Sequence, residues 1–198
     1  LLNLEKDEKV VSLISVDEYE NKYLFFATKN GIVKRCPLEE FIRINCNGKK
    51  AITFKEGDVL LDVRVTNGDN LIALASKKGM LCLFKEDGVR SMGRSASGVK
   101  GMNLRGSELI ALSTNAIGDK VFVLSEHGLG KLSNIEDYRL TNRGAGGVIT
   151  IKVTPKTGDL VGIRIANGDE DVMMITDKGT IIRLKVEEIS ILGRATQG

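Results

Sequence analysis

Gly98-Val99-Lys100-Gly101-Met102-Asn103-Leu104, with the hairpin before it, is the stretch whose reading decides the fold. The unit begins upstream as an apolar run, Leu71-Ile72-Ala73-Leu74-Ala75, and turns at Lys78-Gly79. It returns as Met80-Leu81-Cys82-Leu83-Phe84, crosses a loop holding Arg90 and Arg94, and reaches Gly98. Two short apolar runs joined by a glycine turn predict an antiparallel hairpin, because glycine takes the left-handed backbone such turns need.

Working outward, the same unit recurs along the chain. Gly31, Gly79, Gly128 and Gly179 follow apolar runs at Tyr23–Ala27, Leu71–Ala75, Val121–Leu124 and Val172–Ile175, with separations of 48, 49 and 51 residues. Asn30-Gly31, Lys78-Gly79, His127-Gly128 and Lys178-Gly179 read as the central pairs of two-residue turns. Ten residues after each glycine stands an apolar side chain, Phe41, Val89, Tyr138 or Ile189, just after acidic residues. Fifteen residues after it stands Arg94, Arg143 or Arg194, with Cys46 in the first unit and Arg43 nearby. Gly48, Gly98, Gly147 and Gly198 then close the loop. A final strand is expected at Leu60–Val65, Leu109–Ser113 and Leu160–Ile165, followed by Gly-Asp turns.

Four short strands in roughly 50 residues are the size of a propeller-type blade. Runs that are apolar on both faces belong between neighbouring blades, so several must pack side by side. The fold class is therefore all-β: a partial array of about four four-stranded, propeller-like blades. We divide it as 1–21 (partial), 22–69, 70–119, 120–169 and 170–198 (partial). At the head, Leu2, Leu4 and Val10–Ser15 fit the end of a unit, and Gly198 at the tail is itself a loop glycine. Two arrangements fit this: head strands that pair with the tail unit and close a small ring, or a piece of a longer array.

Composition narrows the function. The 198 residues carry 42% hydrophobic and 28% charged side chains, 22 Gly, 2 Pro and a formal charge of +3. Such mild basicity means a polyanion would meet a local stripe and not a bulk field. Cys36, Cys46 and Cys82 form no CxxC pair and read as reduced thiols in the cytoplasm. No apolar run approaches the ~20 residues that span a bilayer, so no membrane partner is expected.

Catalytic chemistry finds little support. His127, the single histidine, falls in a turn with no second ligand or partner, so no metal site is expected. Ser125 lies close by but without a nucleophile elbow. Glu39/Glu40 and Glu187/Glu188 recur at one repeat position, which marks a loop feature and not a unique acid–base pair. Arg143-Gly144-Ala145-Gly146-Gly147 lacks the Lys-Ser/Thr of a phosphate-binding loop. The basic residues are more informative. Lys34, Arg35, Lys131, Arg183 and Lys185 sit just after the hairpins, and Arg43, Arg90, Arg94, Arg139, Arg143 and Arg194 in the loops, with Lys49, Lys50 and Lys100 beyond. In stacked blades equivalent positions share one rim, a curved positive track suited to duplex phosphates. Aromatic residues at 5% argue against stacking on single strands.

The segments NGIVKRCPLEEF, GRSASGVKGMNL, NRGAGGVITIKV and VMMITDKGTIIRLKVEEISILGRATQG closely resemble the C-terminal domain of DNA gyrase A, in order and over nearly the whole chain. The matching domain of topoisomerase IV is a near relative. The resemblance implies a β-pinwheel, whose blades exchange strands with their neighbours and whose basic rim binds and bends DNA. In gyrase this wraps double-stranded DNA with positive handedness and presents it for strand passage, coupled to ATP hydrolysed on gyrase B. It implies gyrase B and the N-terminal part of gyrase A as partners in a bacterial cytoplasmic, chromosome-associated enzyme. ATP and Mg2+ would belong to other domains, and this chain would hold no cofactor.

Carried over by position, the implied phosphate contacts are Lys34, Arg35, Arg43, Arg94, Lys100, Lys131, Arg143, Arg183 and Arg194. The family's QRRGGKG-type box is not in the chain; it would lie upstream of Leu1. Thr141-Asn142-Arg143-Gly144-Ala145-Gly146-Gly147 takes its place in a later blade with less charge. The cleavage tyrosine belongs to the N-terminal part, so Tyr19, Tyr23 and Tyr138 are not it, and the chain is expected not to cleave DNA. A topoisomerase IV domain and a propeller for protein–protein interaction remain the alternative readings.

Overall fold

The computed structural model describes residues 4–43, 45, 48–115 and 118–198. Leu2 and Cys46, both assigned repeat positions above, lie outside the described residues. The first blade pairs β1 (Tyr23–Thr28) with β2 (Ile32–Pro37) and β3 (Leu60–Thr66). The second pairs β4 (Leu71–Ser76) with β5 (Met80–Lys85) and, beyond the short β6 (Val99–Lys100), β7 (Leu109–Thr114). The third comprises β8 (Lys120–Ser125), β9 (Gly130–Asn134) and, beyond β10 (Val148–Ile149), β11 (Leu160–Ala166). The fourth is the hairpin of β12 (Asp171–Ile175) and β13 (Ile181–Lys185).

Sheet order shows the exchange. The first blade runs β3-β1-β2-β6 and the second β7-β4-β5-β10, so each borrows its outermost strand from the next repeat. All these strand pairs are antiparallel. The inner strands β3, β7 and β11 lie next to one another around a common hub.

The packing follows the sequence pattern. Ile72 and Leu74 of β4 join Phe25, Ala27 and Val33 of the first blade in one cluster. Ala73 and Ala75, which alternate with them, join Val121, Val123 and Ile163 of the third. A strand carries side chains on both faces, so a run apolar throughout is satisfied only between two neighbours. The side chains ten residues past the hairpin glycines, Phe41, Val89, Tyr138 and Ile189, each pack against one of the four clusters.

The structure corrects the turns by one residue. Gly31 N–H donates to Thr28 O at 3.0 Å, so Lys29 and Asn30 are the central residues and Gly31 closes a three-residue loop. Gly31, Gly79, Gly128 and Gly179 all have left-handed backbone, with φ of +77, +75, +80 and +82°. A type I turn followed by one left-handed residue matches the strand twist as well as a two-residue loop does. The hydroxyl before the turn adds a tie: Thr28 Oγ1 accepts from Ile32 N–H at 3.2 Å and Thr176 Oγ1 from Thr180 N–H at 3.1 Å.

The head of the chain is a second correction. Val10–Ser15 forms no strand, and Leu13 is 96% exposed while Ile14 packs against the Phe26 cluster. Among the described residues β13 pairs only with β12, so the head does not close a ring with the tail. A final strand needs a hairpin of its own blade beside it, and Val10–Ser15 has none among the described residues.

Candidate nucleic-acid interface

The segment after each hairpin forms a strap that crosses to the preceding blade. The straps of the second, third and fourth repeats, called the second, third and fourth straps, are residues 89–104, 138–153 and 189–198. Each has one foot in parallel register: Met92 N–H on Arg35 O at 2.9 Å, Thr141 on Leu83 at 2.8 Å, and Leu192 on Leu132 at 2.8 Å. The second foot runs antiparallel, with β6 on Ile32 and Val33, and β10 on Met80 and Leu81. Between the feet a loop arches out, at 93–98, 142–147 and 193–198. Its last residue, Gly98 or Gly147, has φ of +90 or +72°. A Cβ there would run into the carbonyl of Val33 or Leu81, so the close approach of the second foot requires glycine.

Each loop carries one arginine of the sequence-predicted set. Arg143 donates from Nε to Gly88 O at 3.0 Å and from Nη1 to Lys100 O at 3.3 Å. Arg194 donates from Nη1 to Ile149 O at 3.1 Å. Lys100 and Ile149 both stand two residues past a loop glycine, so each arginine grips the same point of the strap before it. The backbones meet there too: Asn103 N–H donates to Ala145 O at 2.9 Å and Lys152 N–H to Thr196 O at 3.0 Å. Thr53 N–H donates to Ala96 O at 3.4 Å in the same way, and its Oγ1 adds a bond to Ser95 O at 2.7 Å. Successive straps thus form one continuous rim.

On this rim Lys100 and Arg143 are exposed and Arg94 and Arg194 are half-buried, while Arg43, in the corresponding segment of the first repeat, is exposed. The Arg94 guanidinium lies 3.5 Å from the Glu40 carboxylate, which offsets part of its charge. Beside the third strap a depression of about 900 Å³ is lined by Lys85, Arg139, Asn142 and Arg143, with Asp87 as its acid. Arg139 stands eleven residues after Gly128 and Arg90 eleven after Gly79, both exposed. That recurrence was the sequence signal for two further rim cations outside the carried-over set.

Four of the nine predicted contacts are placed otherwise. Lys34 and Lys131 are fully buried, so they are not rim cations. Alternation along β2 and β9 turns both beneath the loops. Lys34 Nζ donates to Ala51 O at 2.6 Å and to Arg94 O, and sits 5.7 Å from the Phe26 ring centre. Lys131 Nζ donates to Gly193 O at 2.6 Å, Arg194 O at 2.8 Å and Ser133 Oγ at 3.4 Å. Burial lowers the affinity of both amines for a proton, to a pKa of about 8 for Lys131. Arg35 stacks 4.7 Å above the Tyr23 ring, reaches within 3.9 Å of buried Glu86, and leaves only 12% of its side chain exposed. It ties the first blade to the second. Arg183 is exposed but paired with Asp171 on the adjacent strand.

His127 lies exposed in its turn, with Nδ1 3.1 Å from Lys156 O. Among the described residues no group of three or more His, Cys, Asp or Glu side chains is placed to hold a metal ion. Among the described residues no helix is long and apolar enough to cross a membrane.

Strand-exchanged blades set around a hub, with a cationic strap on their outer edge, define a β-propeller of the pinwheel type. The family model for the DNA gyrase C-terminal domain, beta-propeller, matches residues 1–17, 22–67, 70–115, 119–167 and 170–198, and the chain belongs to that family.

The chain is 45% identical over 199 residues to the DNA gyrase A protein of Mycoplasma pneumoniae and 43% over 198 residues to that of Ureaplasma parvum serovar 3. It is 45% identical over 203 residues to the DNA gyrase A protein of Staphylococcus aureus. These matches take in 100% of this chain but 24, 24 and 23% of the relatives, so the chain spans about a quarter of their length. Among solved structures, the C-terminal domain of DNA topoisomerase IV superposes with a TM-score of 0.90 at 26% identity, covering 100% of this chain and 62% of that one. The DNA gyrase A C-terminal domain gives 0.89 at 22%, covering 100% and 67%, a likeness of fold.

Proposed function

We propose that the strap rim binds duplex DNA through its phosphates and bends it, as the wrapping module of a bacterial type II topoisomerase. The observation that carries this reading is the repeat of Arg143 and Arg194: each is locked onto the carbonyl of the preceding strap, on one continuous edge. Fixed cations at blade spacing neutralise successive phosphates and release counterions without reading bases. A rim that curves around a hub gains contacts only if the duplex bends along it, and those contacts offset the bending energy.

Five of the nine carried-over residues, Arg43, Arg94, Lys100, Arg143 and Arg194, are the phosphate contacts of this reading, joined by Arg90 and Arg139. The parent protein would act with gyrase B and the N-terminal part of gyrase A in the bacterial cytoplasm. There the bound segment would be presented for ATP-dependent negative supercoiling. The curated relatives support gyrase over topoisomerase IV. Chemistry on DNA would belong to the rest of the parent, and this chain would hold and bend.

The test is topological. The chain is bound to relaxed circular plasmid, a nicking-closing enzyme is added, and the linking number is read on a gel. Because no QRRGGKG-type box is in this chain, binding and bending with little stable change in linking number is expected. Failure to retard the plasmid at low salt contradicts the reading.

A further inference from the structure

A buried lysine with no role at the surface occurs twice, at the same place in two blades. Lys34 and Lys131 each stand three residues past a hairpin glycine and next to the parallel foot of the neighbouring strap, Lys34 also lying between that foot and β6. We propose that they are positioning residues, each holding from beneath the loop that presents Arg94 or Arg194. The proposal rests on the DNA reading above and adds to it the device that fixes the arginines.

The geometry is specific. An ammonium group has three donors, and Lys131 uses all three: on Ser133 Oγ and on the carbonyls of Gly193 and Arg194. Lys34 reaches the carbonyl of Arg94 itself, and that of Ala51. In both blades the carbonyl held is that of the loop arginine, so the grip fixes the residue from which the guanidinium extends. Ser133 Oγ adds a bond to Leu192 O at 2.8 Å. A buried ammonium is destabilising unless fully hydrogen-bonded, and burial already weakens the hold of Lys131 on its proton, with Asp137 and Arg194 the charged groups facing it.

The second blade is the internal control. Its equivalent residue is Cys82, whose Sγ lies 3.6 Å from Thr141 Oγ1. The third strap there is held instead by Thr141, whose Oγ1 donates to Leu83 O at 3.2 Å, and by the two bonds of Arg143. A blade therefore folds without the lysine, and its arginine is fixed by its own side chain.

Two readouts on the 198-residue chain test this. The first is amide exchange of the fourth strap. Lys131→Met is expected to raise exchange at Leu192 about tenfold while the β8 amides stay unchanged. Unchanged exchange at Leu192 overturns the proposal. The second is the salt slope of duplex binding. Arg194→Ala and Lys131→Met are each expected to lower it by about one, and the double variant by no more than either alone. Additive losses, or a slope that Lys131→Met leaves intact while Arg194→Ala lowers it, overturn the proposal.

If the wild-type chain shows no salt-dependent binding, the DNA reading fails and the positioning role with it. Raised exchange in Lys131→Met then still tells this apart from a failed clamp. Should the Met variant not fold, Lys131→Cys copies the residue the second blade already accommodates.

Discussion

Leu81 and Ile181 each stand two residues past a hairpin glycine, at the start of the outer strand of their blade. Leu81 is 1% exposed and Ile181 60%. The local sequences are alike, so the difference lies in what surrounds them. Leu81 is covered on its edge by β10 and on its face by the cluster shared with the third blade. Ile181 has only β12 beside it among the described residues. In this fold a blade does not make its own core; its neighbours supply one face and the next strap supplies the edge.

The largest expected effect follows directly. Leu81→Ala should destabilise the chain by about 3–4 kcal/mol by cavity formation, whereas Ile181→Ala should change it by less than about 0.5 kcal/mol. Urea unfolding of both variants measures the contrast, and equal losses would break it.

A pH effect of similar size separates the third blade from the fourth, whose equivalent residue is the uncharged Ile182. The Lys131 amine has a pKa of about 8 in the folded chain against an ordinary 10.5. Below pH 8 it is charged in both states, and its burial weighs fully against folding. Between pH 8 and 10.5 the folded chain sheds the proton while the unfolded chain keeps it, so stability rises. The rise should reach about 3 kcal/mol above pH 10.5, and it should be absent from Lys131→Met, so that the difference between wild type and variant isolates it. Urea midpoints at pH 7 and 10 measure it.

A smaller contrast concerns the glycines. Gly147→Ala adds a Cβ against the Leu81 carbonyl as well as backbone strain, and should cost about 2 kcal/mol and loosen the third strap. Gly179→Ala meets nothing within 4 Å and should cost about 1 kcal/mol from its backbone alone. Thermal unfolding of the pair checks the order.

The same contrast explains what could be read from the chain. The hairpins, the apolar residues ten places on and the loop glycines were legible because each obeys a local rule that recurs. Lys34 and Lys131 were not. A lysine in a strand reads as a surface charge, and only the strap of the next repeat, about sixty residues on, encloses it. Arg35 misled for the same reason, since its partner Glu86 belongs to the neighbouring blade. Val10–Ser15 has the composition of a strand, but composition does not supply the hairpin it would pair with. The extra residue in each turn was hidden because a glycine satisfies both turn lengths.

The central claim is that successive straps place their arginines on one edge that duplex DNA follows. Its most direct test is the slope of log binding constant against log salt concentration, for a duplex of arbitrary sequence. The chain and its Arg94→Ala/Arg143→Ala/Arg194→Ala variant are compared after circular dichroism shows both folded. The account predicts a slope shallower by about three in the variant, with affinity falling alike on unrelated sequences. An unchanged slope in the folded variant would contradict it.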